Sequence, residues 1–176
     1  MVIMYSRGTL RKEEKMTKKL YIASPFGFSE AGRSYMYDTV VPVIAQLGYE
    51  VLDPWKLTPD ELITEVSQMS YGVAKRNRWR EINKIIGANN TEAIRQSDGI
   101  FAILDGVDVD SGTASEIGFA AALGKPVVGY RGDFRLSADN EGGKVNVQVQ
   151  YFIEMHGGQL VTELSDVPEA LKVVFH

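Results

Sequence analysis

The chain of 176 residues contains no cysteine, which removes disulfides, thiolate nucleophiles and cysteine-held metals together. Histidine is almost as scarce: His156 and the terminal His176 are the only two. A serine–histidine–aspartate site or a histidine-rich metal site therefore has little to be built from. Any chemistry rests on carboxylates, amides and hydroxyls, and neither a metal nor an organic cofactor is expected.

An excess of positive charge is also missing. Lys and Arg number 19 against 23 Asp and Glu, a formal net charge of -4. A nucleic acid is thereby disfavoured as partner, since phosphate backbones select basic surfaces; small or neutral ligands are expected instead. No apolar run approaches the roughly 20 residues of a membrane span, so no membrane partner is expected. Residues 1–17 carry Arg7, Arg11, Lys12 and Lys15 without the apolar centre of a signal peptide. They read as a poorly ordered N-terminal extension, with Met16 an alternative start, ahead of a single cytoplasmic domain over 18–176. Neither G-x-G-x-x-G nor G-x-x-x-x-G-K-[ST] occurs, which weakens dinucleotide and P-loop readings.

What is present alternates strands with helices. Apolar runs at Lys19–Ser24, Tyr49–Leu52, Gly99–Asp105, Pro126–Tyr130 and Gln159–Thr162 read as strands, the third continuous as buried parallel strands are. Helices are expected from Ser29, as cap, to about Leu47, and from Thr58 with Pro59 in the first turn. A further helix spans Val73 to Gln96, with an interruption near Gly87–Asn90. Others follow Gly112 to Leu123 and Val167 to Phe175, while Val145–Met155 is helix or strand. Arg131–Lys144 is a polar surface loop. The basic cluster Lys75–Arg80 reads as a solvated or subunit-contact face. The pattern implies a doubly wound α/β domain, flavodoxin-like or Rossmann-like, with a parallel sheet of about five strands.

The stretch Asp110-Ser-Gly-Thr-Ala-Ser-Glu116-Ile-Gly follows the third strand and opens a helix, at the end of the sheet where such folds bind ligands. Thr113-Ala-Ser-Glu116 has the spacing of a capping box, in which threonine and glutamate satisfy the first free amides. Under that reading Asp110 is a loop carboxylate favoured by the helix dipole. Against it, Gly112, Gly118 and the alanines beyond leave backbone open to close approach. Glu116 also has no basic partner nearby in sequence, as suits a carboxylate that attacks carbon in retaining glycosyl transfer.

These residues, with Tyr21 in the first strand, Asn90, Ile94 and Asp98 ahead of the third, and Gly124-Lys125-Pro126, resemble the nucleoside 2-deoxyribosyltransferase family from about Lys19 to Met155. The resemblance implies transfer of 2-deoxyribose between purine or pyrimidine bases, with Glu116 as the nucleophile that carries the sugar. It makes Tyr21 the hydroxyl orienting Glu116 and Asp110 the group receiving the sugar 5-prime hydroxyl. Phe26 and Phe28 fall where family aromatics stack on the base, and Gly112 lies in the substrate-binding turn. Asn146 would be lent to a neighbouring subunit's site, with Gln148 near the base. Deoxyribonucleosides and free nucleobases are then the substrates, and the chain a homo-oligomer, a dimer or an assembly of dimers.

Asn90 departs from the aspartate of some members: it can hydrogen-bond a base but cannot deliver a proton. Three other readings remain. A hydrolase of deoxynucleoside 5-monophosphates must hold a phosphate where Asp110 stands, and two negative charges about 4 Å apart repel by several kcal/mol at intermediate dielectric. A phosphoribohydrolase of the cytokinin-activating kind carries a Gly-Gly-x-Gly-Thr-x-x-Glu run, whose paired glycines Val109-Asp110-Ser111-Gly112 lacks. A non-catalytic nucleotide-binding module would leave Glu116 closed onto its own helix, whereas the transferase reading turns it toward Tyr21.

Overall fold

Residues that alternate sides along two central strands divide the interior into two cores. In the computed structural model, which describes residues 17–176, β1 spans Lys19–Ala23 and β3 spans Gly99–Ile103. Leu20, Ile22, Phe101 and Ile103 point to one side, Tyr21, Ile100 and Ala102 to the other. Apart from Thr17, the expected N-terminal extension lies outside the described residues.

The sheet is completed by β2 (Glu50–Leu52), β4 (Val127–Tyr130) and β5 (Gln159–Val161), all parallel, in the order β2-β1-β3-β4-β5. This is the doubly wound, flavodoxin-like arrangement expected. Met36, Val40 and Ile44, from the helical stretch α1 (Glu30–Tyr35), a π turn (Met36–Val40) and α2 (Val41–Gln46), cover the first face. Leu171 of α7 (Val167–Val174) joins them. Ile94, Ile117 and Ile153 cover the second, from α4 (Val73–Gln96), α5 (Ser111–Ala122) and α6 (Val147–Glu154). Each such side chain, fully buried, contributes about 1.5–3 kcal/mol.

The chain leaves β1 toward the first face and β3 toward the second. Their carboxyl ends therefore part, which opens a crevice between them where open α/β sheets bind ligands. The expected helix from Ser29 is present, capped by the serine hydroxyl on the Gly32 amide at 3.0 Å. Its π turn stands directly ahead of Pro42, which has no amide to give and would crowd a regular turn.

Two local expectations are corrected and one left open is resolved. Helix α4 runs unbroken through Gly87–Asn90: the Thr91 hydroxyl donates back to the Gly87 carbonyl at 2.7 Å, and the Asn89 amide reaches across to the Leu57 carbonyl at 3.0 Å. Thr58 does not cap α3 (Asp60–Gln68); Pro59 stands at the cap with no side-chain bond, and Thr58 is buried facing Asn89. The segment left open between helix and strand is α6, held by a cap from Asn146.

The start of α5 is also not a capping box. Asp110 is the cap, accepting from the Thr113 amide at 3.0 Å, and the Ala114 amide already bonds the Asp110 carbonyl. The helix thus begins earlier than Thr113 would start it. Glu116 lies beyond the last free amide, where its side chain has no helix end to close. The far end of α5 closes with Gly124 at φ +73° and a Lys125 amide bond to the Ala120 carbonyl, the αL termination that favours glycine.

Candidate active site

Freed from capping, Glu116 turns toward the sheet. Its Oε1 accepts a hydrogen bond of 2.6 Å from the Tyr21 hydroxyl, which rises from the fully buried β1. Among the described residues its other oxygen accepts no hydrogen bond, so one carboxylate oxygen is held and the other is open. Burial raises Glu116, the Tyr21 bond lowers it and the neighbouring Asp110 charge raises it, so that on balance it is pushed up to about 7. Burial first, then the Glu116 charge, hold the Tyr21 phenol far above its ordinary range, so it remains a donor at any working pH.

Glu116 borders a cleft of about 290 Å³ with Asp110, Gly112 and Asn90, closed on the far side by Phe28, Pro54 and Trp55. The Asp110 position is built from two directions. Gly112 leaves room, since a Cβ there would stand 3.0 Å from Asp110 Oδ2. The loop from β3 is clamped by Arg131, a buried guanidinium that donates to the carbonyls of Leu104, Gly106 and Arg135. The Asn90 Oδ1 is buried with no hydrogen-bond partner among the described residues. Such an orphaned acceptor costs free energy unless a ligand or water supplies a donor.

Six of the nine residues singled out from sequence thus meet here: Tyr21, Glu116, Asp110, Asn90, Gly112 and Phe28. Phe26 does not. The turn Pro25–Phe28, started by Ser24 Oγ accepting from the Phe26 amide, turns Phe26, half-buried, against the first core beside Tyr35, with ring centroids 5.9 Å apart, and Phe28 outward. Asn146 and Gln148 lie elsewhere within the chain: the Asn146 side chain accepts from the Gln148 and Val149 amides at the start of α6.

Trp55 and Arg131 are not visible in the sequence reasoning as site residues. Asp53-Pro54-Trp55 just past β2 is the available signal for the first, because loops after neighbouring strands share one rim. A larger hollow of about 420 Å³ opens at the opposite, amino-terminal end of the strands, between Lys18, Tyr49 and Phe175, but no carboxylate side chain lines it. Among the described residues no three His, Asp or Glu side chains gather as metal ligands, and no helix is long and apolar enough to cross a membrane.

A parallel α/β sheet whose switch-point cleft presents a tyrosine-bound glutamate beside a second carboxylate defines a class of protein equipped for carboxylate chemistry on a small ligand. The chain belongs to the nucleoside 2-deoxyribosyltransferase family, whose model matches residues 20–148. Among solved structures it is similar to a conserved protein from Enterococcus faecalis V583, at 27% identity and TM-score 0.64 over 89% of this chain and 98% of that one. It is similar too to a 2-deoxyribosyltransferase from Bacillus psychrosaccharolyticus, at 26% identity and TM-score 0.59 over 85% and 90%. A CMP N-glycosidase from Clostridium botulinum shares the fold at 18% identity and TM-score 0.52, over 88% and 98%. No curated protein gives a significant match. Family and neighbours together point to an enzyme acting on nucleosides.

Proposed function

We propose that the protein transfers 2-deoxyribose from one nucleobase to another through an ester on Glu116. The observation that carries this reading is the 2.6 Å bond from Tyr21 to Glu116 at the mouth of a cleft shared with Asp110. A bond to one oxygen fixes the carboxylate while leaving the other free to attack the anomeric carbon. In the first step the Glu116 oxygen bonds to that carbon and the N-glycosidic bond breaks. The electron pair passes to the base nitrogen, which takes up a proton. In the second, a nitrogen of the incoming base attacks the same carbon, gives up its proton and releases Glu116, so configuration is retained overall.

Asp110 accepts the 5-prime hydroxyl in this reading, and its charge disfavours a 5-prime phosphate. Asn90 hydrogen-bonds the base, while the proton comes from Asp110, water or a C-terminal residue. A cytoplasmic homo-oligomer in which Asn146 reaches the neighbouring site completes the proposal.

The second reading is hydrolysis, in which water replaces the incoming base; the fold shared with a CMP N-glycosidase motivates it. Incubation with deoxyinosine and adenine separates the two. Deoxyadenosine is expected from transfer, whereas hypoxanthine with free deoxyribose alone indicates hydrolysis. No conversion across a panel of bases would sink both.

A further inference from the structure

The end of the cleft away from the carboxylates is an aromatic corner. Phe28 and Trp55 meet edge to face, centroids 4.7 Å apart at 88°, yet remain 75% and 40% exposed. Trp55 is nevertheless fixed in place. Buried Asp53 accepts from the Trp55 amide at 3.0 Å and from the Tyr37 hydroxyl at 2.8 Å. Behind the indole lies Gly27, where a Cβ would stand 1.9 Å from the ring. The indole can rest there only because that residue is glycine.

Strand order places the corner relative to the chemistry. Trp55 follows β2, Ser24 and Phe28 follow β1, and Glu116 belongs to the helix after β3, with β1 between the other two. The cleft therefore runs from nucleophile to indole across the end of β1. Few of its polar side chains can read a base edge. Ser24 bonds the Phe26 amide, Thr113 is buried, and Asp110 caps α5. Asn90, with its orphaned Oδ1, is the exception.

We propose that Trp55 is the specificity-determining wall for the base, so that overlap with the indole orders the substrates and purines are preferred to pyrimidines. The inference rests on the transfer reading and adds the residue that selects the substrate. Aromatic stacking tolerates any base but grows with the ring area covered. A two-ring base thus gains more than a one-ring base, while a single amide at Asn90 cannot impose an edge code.

The chain has two tryptophans, so Trp79→Phe leaves Trp55 as the sole indole reporter. In that variant adenine is expected to quench fluorescence saturably, at lower concentration than cytosine. Trp55→Ala should lower kcat/KM for deoxyadenosine by about 10- to 100-fold, mainly through KM, with a clearly smaller loss for deoxycytidine. Trp55→Phe should restore most of it, and Gly27→Ala should reproduce the loss although the indole remains. Quenching without turnover of any nucleoside supports the Trp55 wall while refuting transfer. Turnover with no quenching, or equal losses on purine and pyrimidine in Trp55→Ala, overturns the Trp55 wall and leaves transfer standing.

Discussion

Two charged clusters in this molecule are built on opposite terms. On the helical face around α3 and α4, Arg78 donates to both Glu65 oxygens at 2.9 Å and to Glu81 at 3.0 Å, in solvent. There each carboxylate of the cluster faces the guanidinium, and Glu65 sits below its ordinary range because of Arg78. At the start of α5, Glu116 and Asp110 approach one another with no cation bonded to either among the described residues, and Glu116 is pushed up to about 7, chiefly by burial. The first cluster minimises its own electrostatic energy. The second keeps an unfavourable arrangement that only the rigid sheet beneath it sustains, and such arrangements concentrate at functional sites. The basic run Lys75–Arg80 looks suggestive in sequence but is spent on neighbours: Lys75 on the Ser67 and Met69 carbonyls, Arg78 on its two glutamates.

The contrast can be broken at its strongest point by neutralising one residue in each cluster. Glu116→Gln is expected to cut turnover at least about 1,000-fold with the fold intact, as loss of a covalent nucleophile does. Arg78→Ala should leave turnover unchanged. Comparable losses in both would remove the distinction.

Next in size is Tyr21→Phe, expected to lower kcat/KM about 10- to 100-fold. Its pH profile is more telling. Glu116 must be ionised to attack, so wild-type kcat/KM should climb with pH and level off above about 7. Removing Tyr21 deletes the bond that lowers Glu116, so the rising limb should move to higher pH. Asp110→Asn removes a charge that raises it, so the limb should move to lower pH. Because Asn caps helices about as well as Asp, that variant should keep its stability, while Asp110→Ala loses about 1 kcal/mol. Shifts in the same direction for both would show that the two groups do not act on Glu116 as the geometry implies.

The smallest effect concerns stability. An acid whose folded value is raised favours folding while protonated, and this advantage is lost as pH climbs from about 4.5 toward 7. Glu116→Gln should therefore melt above wild type at pH 8, by about 1 kcal/mol, with the gap closing near pH 4.5. Thermal denaturation at the two pH values checks it; a gap independent of pH would contradict the cause.

The fold is legible in the chain because parallel strands buried on both faces read as uninterrupted apolar runs, Gly99–Ile103 above all. The ambiguity at α5 arises because two cap spacings, Asp-x-x-Thr and Thr-x-x-Glu, overlap in one stretch. Which one holds depends on where the chain emerges from β3, and Arg131 helps fix that from a distant loop. Phe26 and Phe28 differ by two residues, but a tight turn sends them to opposite sides. Trp55 escapes a reading along the chain since its seat against Gly27 joins two loops that only the sheet brings together. Glu116 and Tyr21 are 95 residues apart, so their pairing enters the sequence reading through family resemblance alone.

The most direct test of the central claim is to look for the sugar on Glu116. Mass spectrometry of peptides from enzyme quenched during turnover of deoxyinosine should find a deoxyribosyl ester on the peptide carrying Glu116, and none in Glu116→Gln. Base exchange that persists in Glu116→Gln, or an adduct on a different residue, would contradict it.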